Sequence, residues 1–445
     1  MIDKAKFSSH RKNWNCFSKI DILGEFEFYT LAISLDSLNI TEVDGVDFSI
    51  LNQPSSLSMS EYSRLKKVLT LATHEFTHYL DGTASLWGME HLTRIDEAAK
   101  SRDGDENSYF KLKSLYDYIR RLRLPTYYST VEKDVQHDQP WKMHLTGGRE
   151  FRSDGTLSDR PILFGRFLNA QSENIARSPI SILSLLETSA MAQELEVKLK
   201  LASRLDDDSR IVELAQIKRD SIQFIYNKNL TEYSVCAHLV ANSIDCPDLI
   251  VALRMSAIIA RFVLNSTSTT FDTARQHLSV WSKIVNKGGD HAELALLRHA
   301  LKHRNHGALF YIIALMLPRN SGDTPQALFS GFSNSLNLLG IAYMDTLAKS
   351  EIKMRELAKQ LAKSELQSLK VIAVASALNF TLLKGMPLSR NFERLSLPPV
   401  FLSNMESYQF GATEANSMRN FDLEASYEEL ISVQIAVENF AEACL

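Results

Sequence analysis

His74-Glu75-Phe76-Thr77-His78 combines residue types and spacing suited to metal-assisted hydrolysis. Two histidines four residues apart share one face of a helix, so both imidazoles can point at a single cation. The glutamate between them projects beside that face, within reach of a water held there. A divalent cation in such a site lowers the pKa of its water towards about 7, and a neighbouring carboxylate can take the released proton. Zn2+ is the ion that this pairing of ligands leads one to expect.

Two imidazoles do not complete a catalytic zinc site, which ordinarily takes three protein ligands and a water. One broad class finds its third ligand in a histidine six residues beyond the second, with a glycine three before it. Asp81 and Ala84 hold those positions here, which disfavours that class. The remaining source is a carboxylate on another helix, and Glu187, Glu97 and Glu90 compete for the role. If the next helix starts near residue 84 and folds back, Glu97 lies about 20 Å along it, whereas His78 is about 5 Å from the turn. Glu97 then overshoots, unless Gly88 delays the helix start. Glu187 follows a long loop that can place its helix freely.

The elements around the motif must make it rigid. Ser58 and Glu61 form an S-x-x-E capping box, and Tyr62, Leu65, Leu69, Ala72, Phe76 and Leu80 recur at helical spacing. A helix is therefore expected over about 59–81, with Asp81-Gly82 as its stop and both histidines beside the buried stripe. Before it, Glu25-Phe26-Glu27-Phe28-Tyr29 alternates and Leu31 to Leu35 follows, so a small sheet next to the metal helix is expected. Further helices are expected over about 84–101 and from Ser108 to Leu124, with a polar turn at Asp103–Asn107 between them. Residues 126–177 are polar and richer in glycine and proline, and read as a long irregular segment with a short hairpin. Ser178-Pro179 reads as the opening of the next helix, and almost everything beyond it reads helical.

The fold class expected is mainly α: a metal helix with a small N-terminal β element, then an α-helical C-terminal domain. The corresponding domains are 1–204 and 205–445. Glycine and proline are sparse, at 17 and 11 in 445 residues, which favours long helices over a strand-rich sandwich. The net charge of −4 favours neither nucleic acid nor an anionic membrane as a partner. The longest apolar runs, Ala308–Leu317 and Val371–Ala377, are too short to span a bilayer and read as core helices. Met1 to Lys6 carries no apolar signal region, and Cys16, Cys236, Cys246 and Cys444 show no C-x-x-C pairing. The expected location is the cytoplasm. Cys236, His238 and Cys246 lack the paired spacing of a zinc cluster. His299 and His303, with His291 and His306 nearby, have Ala300 where a base would stand and lie among Arg298, Lys302 and Arg304, so this set reads as a basic helix end.

The His74–His78 segment resembles the zinc helix of the gluzincin metallopeptidases, within the broader zincin group. That resemblance extends over about residues 59–200. It implies a third ligand from a glutamate on a following helix, often in an E-x-x-A-x-x-x-E context, which Glu187, Ala190 and Glu194 match. Asp96-Glu97-Ala98 also looks like the N-E-A of thermolysin-type members. Glu187 is accordingly the favoured third ligand, with Glu97 and Glu90 as alternatives. The activity implied is zinc-dependent hydrolysis of peptide bonds in a protein or peptide substrate, with Glu75 as general base. Tyr127, Tyr128, His137, His144 and Arg152 are candidates for stabilising the oxyanion, and Asp81 for holding a ligand histidine. The competing expectation is a non-catalytic regulatory or interaction protein with a structural or degenerate metal site; a structural site has no need of Glu75.

Overall fold

The computed structural model describes residues 23–101, 108–122, 124–152, 155–245, 248–286, 291–319, 324–385, 390–411, 416–418 and 420–443. The fold is mainly helical, with 64% helix and, among the described residues, 16 α-helices. In chain order these are α1 (Ile40–Val43), α2 (Met59–Thr83), α3 (Leu86–Ala99), α4 (Tyr109–Leu122), α5 (Ile182–Ala202), α6 (Asp207–Ile225), α7 (Thr231–Ile244) and α8 (Leu249–Leu264). They continue with α9 (Ser268–Gln276), α10 (Leu278–Ile284), α11 (His291–Lys302), α12 (His306–Leu315), α13 (Pro325–Leu338), α14 (Tyr343–Leu361), α15 (Gln367–Leu383) and α16 (Leu423–Ala443). The strands are β1 (Glu25–Phe26), β2 (Ile33–Leu35), β3 (Thr130–Val131), β4 (Lys142–Phe151), β5 (Leu157–Leu168), β6 (Asn174–Pro179), β7 (Val400–Leu402) and β8 (Ser407–Tyr408).

Contacts divide the chain into two interleaved units. Unit 1 takes the described residues of Met1–Leu122, Gln193–Ile217 and Glu351–Leu445; unit 2 takes those of Arg123–Ala192 and Lys218–Ser350. The boundary expected after residue 204 falls inside a stretch that belongs wholly to unit 1. A linear reading could not find this division, because it depends on the chain returning to its first unit twice.

Unit 1 is built on α2. The Ser58 hydroxyl accepts the Glu61 N–H, and the Glu61 carboxylate accepts the Ser58 N–H at 3.0 Å, closing the capping box. The predicted stripe from Tyr62 to Leu80 is buried throughout. α2 packs against β1, β2, α3 and α15. The turn into α3 is tight: the Ser85 hydroxyl caps α3 by accepting the Gly88 N–H at 2.9 Å. Gly88 lies so close to the end of α2 that a Cβ there would meet the Gly82 carbonyl carbon at 2.4 Å. The expected small sheet is present beside α2 as β1 and β2, and it is larger than foreseen. Its order is β1-β2-β7-β8, with β2 parallel to β7 through the pairs Ser34↔Phe401 and Leu35↔Leu402. Two short strands more than 360 residues away in sequence cannot signal that pairing locally.

Unit 2 corrects the reading of residues 126–177. The segment forms an antiparallel sheet in the order β3-β6-β5-β4, and its β4–β5 hairpin runs Lys142↔Leu168 through Phe151↔Leu157. Gly147 and Gly148 sit inside β4 opposite Leu163 and Ile162. A Cβ at Gly148 would meet the Phe164 ring at 2.8 Å, so the glycine leaves space for that ring. Ser178 and Pro179 end β6 instead of opening a helix. The start of α5 is capped by the Ser181 hydroxyl, which accepts the Ser184 N–H at 3.3 Å, while Ser184 Oγ accepts the Ser181 N–H at 3.1 Å. Around the sheet, Trp141 stacks on His238 at 5.3 Å, and α12 is buried from Gly307 to Ala314. The expected polar turn at residues 103–107, Met1–Lys6, Cys16, Cys246 and Cys444 lie outside the described residues. Among the described residues no single helix is long and apolar enough to cross a membrane.

Candidate metal centre

One turn of α2 sets His74 above His78. Their Nε2 atoms lie 3.1 Å apart, and the rings meet edge to face with centroids 4.8 Å apart. Tetrahedral ligands about 2.1 Å from a zinc ion stand about 3.4 Å from one another, so this spacing suits two imidazoles sharing one cation. His78 is buried, at 1% exposure. Burial, reinforced by His74 and the Arg390 guanidinium, holds its pKa well below the ordinary histidine range, so the ring is neutral and available as a ligand.

The other nitrogen of His74 is held by a carboxylate. His74 Nδ1 lies 3.1 Å from Glu194 Oε2, and Lys198 pairs with Glu194 Oε1 one turn further along α5. Burial pushes the Glu194 carboxyl up, but Lys198 and His74 outweigh it and bring it down to about 2. An ionised carboxylate on the outer nitrogen fixes the ring's tautomer and orientation and leaves Nε2 as the ligand atom.

Glu187 lies seven residues before Glu194 on the unbroken helix α5. Seven residues span almost two helical turns, with a drift of only about 20°, so both carboxylates project from one face. Ligand atoms of His74, His78 and Glu187 all lie within 4.8 Å of one another. Two imidazole nitrogens and one carboxylate oxygen form a donor set of the kind that holds catalytic zinc. Glu187 is only 3% exposed. The alternatives stand elsewhere: Glu97 is exposed on α3, and the Glu90 carboxylate pairs with Arg94 at 4.0 Å.

Glu75 is 5% exposed. Burial pushes its carboxyl up to about 7; His74 opposes the shift, while Glu25, Glu194 and Asp36 add to it. The residue is also packed against the start of β1, since a Cβ on Gly24 would meet Glu75 Cγ at 3.2 Å. Glu25 and Asp36 carried no sequence signal for this role. They influence Glu75 only because the β1–β2 sheet lies on α2.

Other expected residues have different surroundings. Asp81, the candidate partner of a ligand histidine, forms a buried pair with Arg390. Among the oxyanion candidates, all in unit 2, the Tyr128 hydroxyl accepts the Phe151 N–H, the His137 carbonyl accepts the Trp141 indole N–H at 2.9 Å, and Tyr127 and Arg152 are exposed. His144 lies within β4, paired with Arg166. His299 Nε2 meets the Asp159 carbonyl and His303 lies 3.9 Å from its carboxylate, at the basic end of α11. Cys236 is buried, and His238 Nε2 meets the Ile225 carbonyl at 2.9 Å.

Comparison of the chain with protein-family models, with curated proteins and with solved structures returned no match.

Proposed function

We propose that this chain is a zinc-dependent peptidase, with His74, His78 and Glu187 as the metal ligands and Glu75 as the general base. The observation that carries this reading is the convergence of two imidazoles and a buried carboxylate from α5, with a second buried carboxylate, Glu75, on the same turn of α2. A purely structural site ordinarily closes with four protein ligands and has no use for Glu75.

A bound zinc ion would acidify a water and polarise the scissile carbonyl. The protein's own residues do the rest. Glu194 fixes the His74 ring. Glu75 takes a proton from the attacking water and returns it to the departing amine nitrogen as the C–N bond breaks. Burial of Glu75 and His78 keeps bulk solvent from competing for that proton. The substrate class proposed is a protein or peptide.

The test is Glu75→Gln. The variant should bind one zinc per chain as the wild type does and lose hydrolysis of a casein or mixed-peptide substrate by at least about 100-fold, the lower range for a positioned acid–base group. Wild-type turnover in the zinc-loaded variant would remove Glu75 from the mechanism. Zinc binding by the wild type with no hydrolysis of any peptide would favour the regulatory alternative.

A further inference from the structure

Arg390 comes from the segment after α15, more than 300 residues beyond the metal helix, and nothing in its sequence surroundings points to the site. In the fold it is nearly fully buried, at 7% exposure. Its guanidinium grips one turn of α2 at two points. Nη1 donates to the Thr77 carbonyl at 3.3 Å, and Nη2 donates to the Asp81 carboxylate. Asp81 is itself only 3% exposed. Thr77 precedes His78 directly, and Asp81 lies almost one turn beyond it. The backbone of Arg390 faces the other helix: its N–H donates to Gln193 Oε1 at 3.0 Å. Gln193 is buried and adjoins Glu194, the residue that holds His74.

We infer that Arg390 is a positioning residue: it ties the His78 turn of α2 to the Gln193–Glu194 turn of α5 and so sets the separation of the two helices that furnish the cation ligands. Three physical points support this. A guanidinium fork fixes orientation as well as distance, because two of its donors engage separate acceptors on one helical turn. A buried ion pair resists small displacements, since moving either partner leaves a charge uncompensated in a low-dielectric interior. Finally, the main chain of Arg390 is held by Gln193 while its side chain is held by the Thr77–Asp81 turn, so a single residue bridges the two turns. The alternative is that the pair only stabilises the fold, with no bearing on the site.

The inference rests on the proposed metal site, and the experiment keeps the two apart. Zinc ion alone is the probe, and affinity is measured by competition with a chromophoric chelator. Wild-type binding checks the site itself; if the wild type binds no zinc, the site and this inference fall together. Arg390→Met alone strands the Asp81 carboxylate in the interior. The informative variant is therefore Arg390→Met with Asp81→Leu, which removes both charges together and replaces them with apolar groups. The double variant should keep the wild-type circular dichroism and a similar unfolding midpoint, yet bind zinc about 10–100-fold more weakly, the usual consequence of losing support behind a metal ligand. Wild-type zinc affinity in the folded double variant would overturn the inference while leaving the site intact. If the double variant does not fold, Arg390→Lys decides by the same readout. Lysine retains a charge opposite Asp81 without the two-point fork, so weakened zinc binding supports the inference and unchanged binding overturns it.

Discussion

Gly88→Ala offers the most direct test of how α2 is seated. A methyl group there would stand 2.4 Å from the Gly82 carbonyl carbon, 2.5 Å from its oxygen and 2.7 Å from the Thr83 nitrogen. Ordinary contact begins near 3.4 Å, so α3 would have to retreat by about 1 Å, a strain of the overpacking kind. All three atoms are backbone, and no side chain can rotate aside. Alanine inside a helix gains about 1 kcal/mol over glycine. Overpacking of a tight contact costs about 1–3 kcal/mol and sometimes more. With three backbone clashes well under 3.0 Å, the cost should reach the top of that range, about 3 kcal/mol, for a net loss of about 2 kcal/mol. Equilibrium urea unfolding followed by circular dichroism measures this, with Gly385→Ala as the control because a Cβ there meets nothing within 4 Å. The control should stay within about 1 kcal/mol of the wild type. If Gly88→Ala were as stable as the control, the close approach of α3 to the end of α2 would be wrong.

Other outcomes follow from the site and the core. Glu194→Gln removes the carboxylate behind His74, and zinc affinity should fall about 10–100-fold by chelator competition; an unchanged affinity would show that His74 needs no such support. Glu187→Ala should weaken zinc binding severely, whereas Glu97→Ala and Glu90→Ala should leave it alone; the reverse pattern would reassign the third ligand. His91 and His238 are both buried, and burial lowers each pKa from 6.5 to about 4. The unfolded chain therefore takes up these protons first as pH falls. Their contribution is complete above pH 6.5 and is lost progressively down to about pH 4, by about 2 kcal/mol per histidine between pH 7 and 5. His91→Gln should flatten that part of the urea-midpoint profile, and an unaltered slope would contradict the buried neutral ring.

Much of α2 could be read directly from the chain. Capping by Ser58 and Glu61, the stripe from Tyr62 to Leu80 and the histidine spacing are all encoded within 25 residues, because helix formation and one-face projection are local properties. The mainly helical character followed from composition for a similar reason. The β4–β5 sheet was not recognised: Gly148 leaves room for the Phe164 ring and Gly147 for the Leu296 side chain, neighbours that no local window contains.

Sequence alone determined that His74 and His78 share a helical face with Glu75 beside them, since 3.6 residues per turn leaves no other arrangement. It narrowed the third carboxylate to three glutamates, with Glu187 favoured by the resemblance over Glu97 and Glu90. The tertiary structure decided the rest. It brought Glu187 and Glu194 to the histidines on one face of α5, set Arg390 against Asp81, and buried Glu75 beneath β1 and β2. Those relations join residues more than 40 and up to about 310 positions apart. Only packing of distant elements can set the distances and dielectric on which such a site depends.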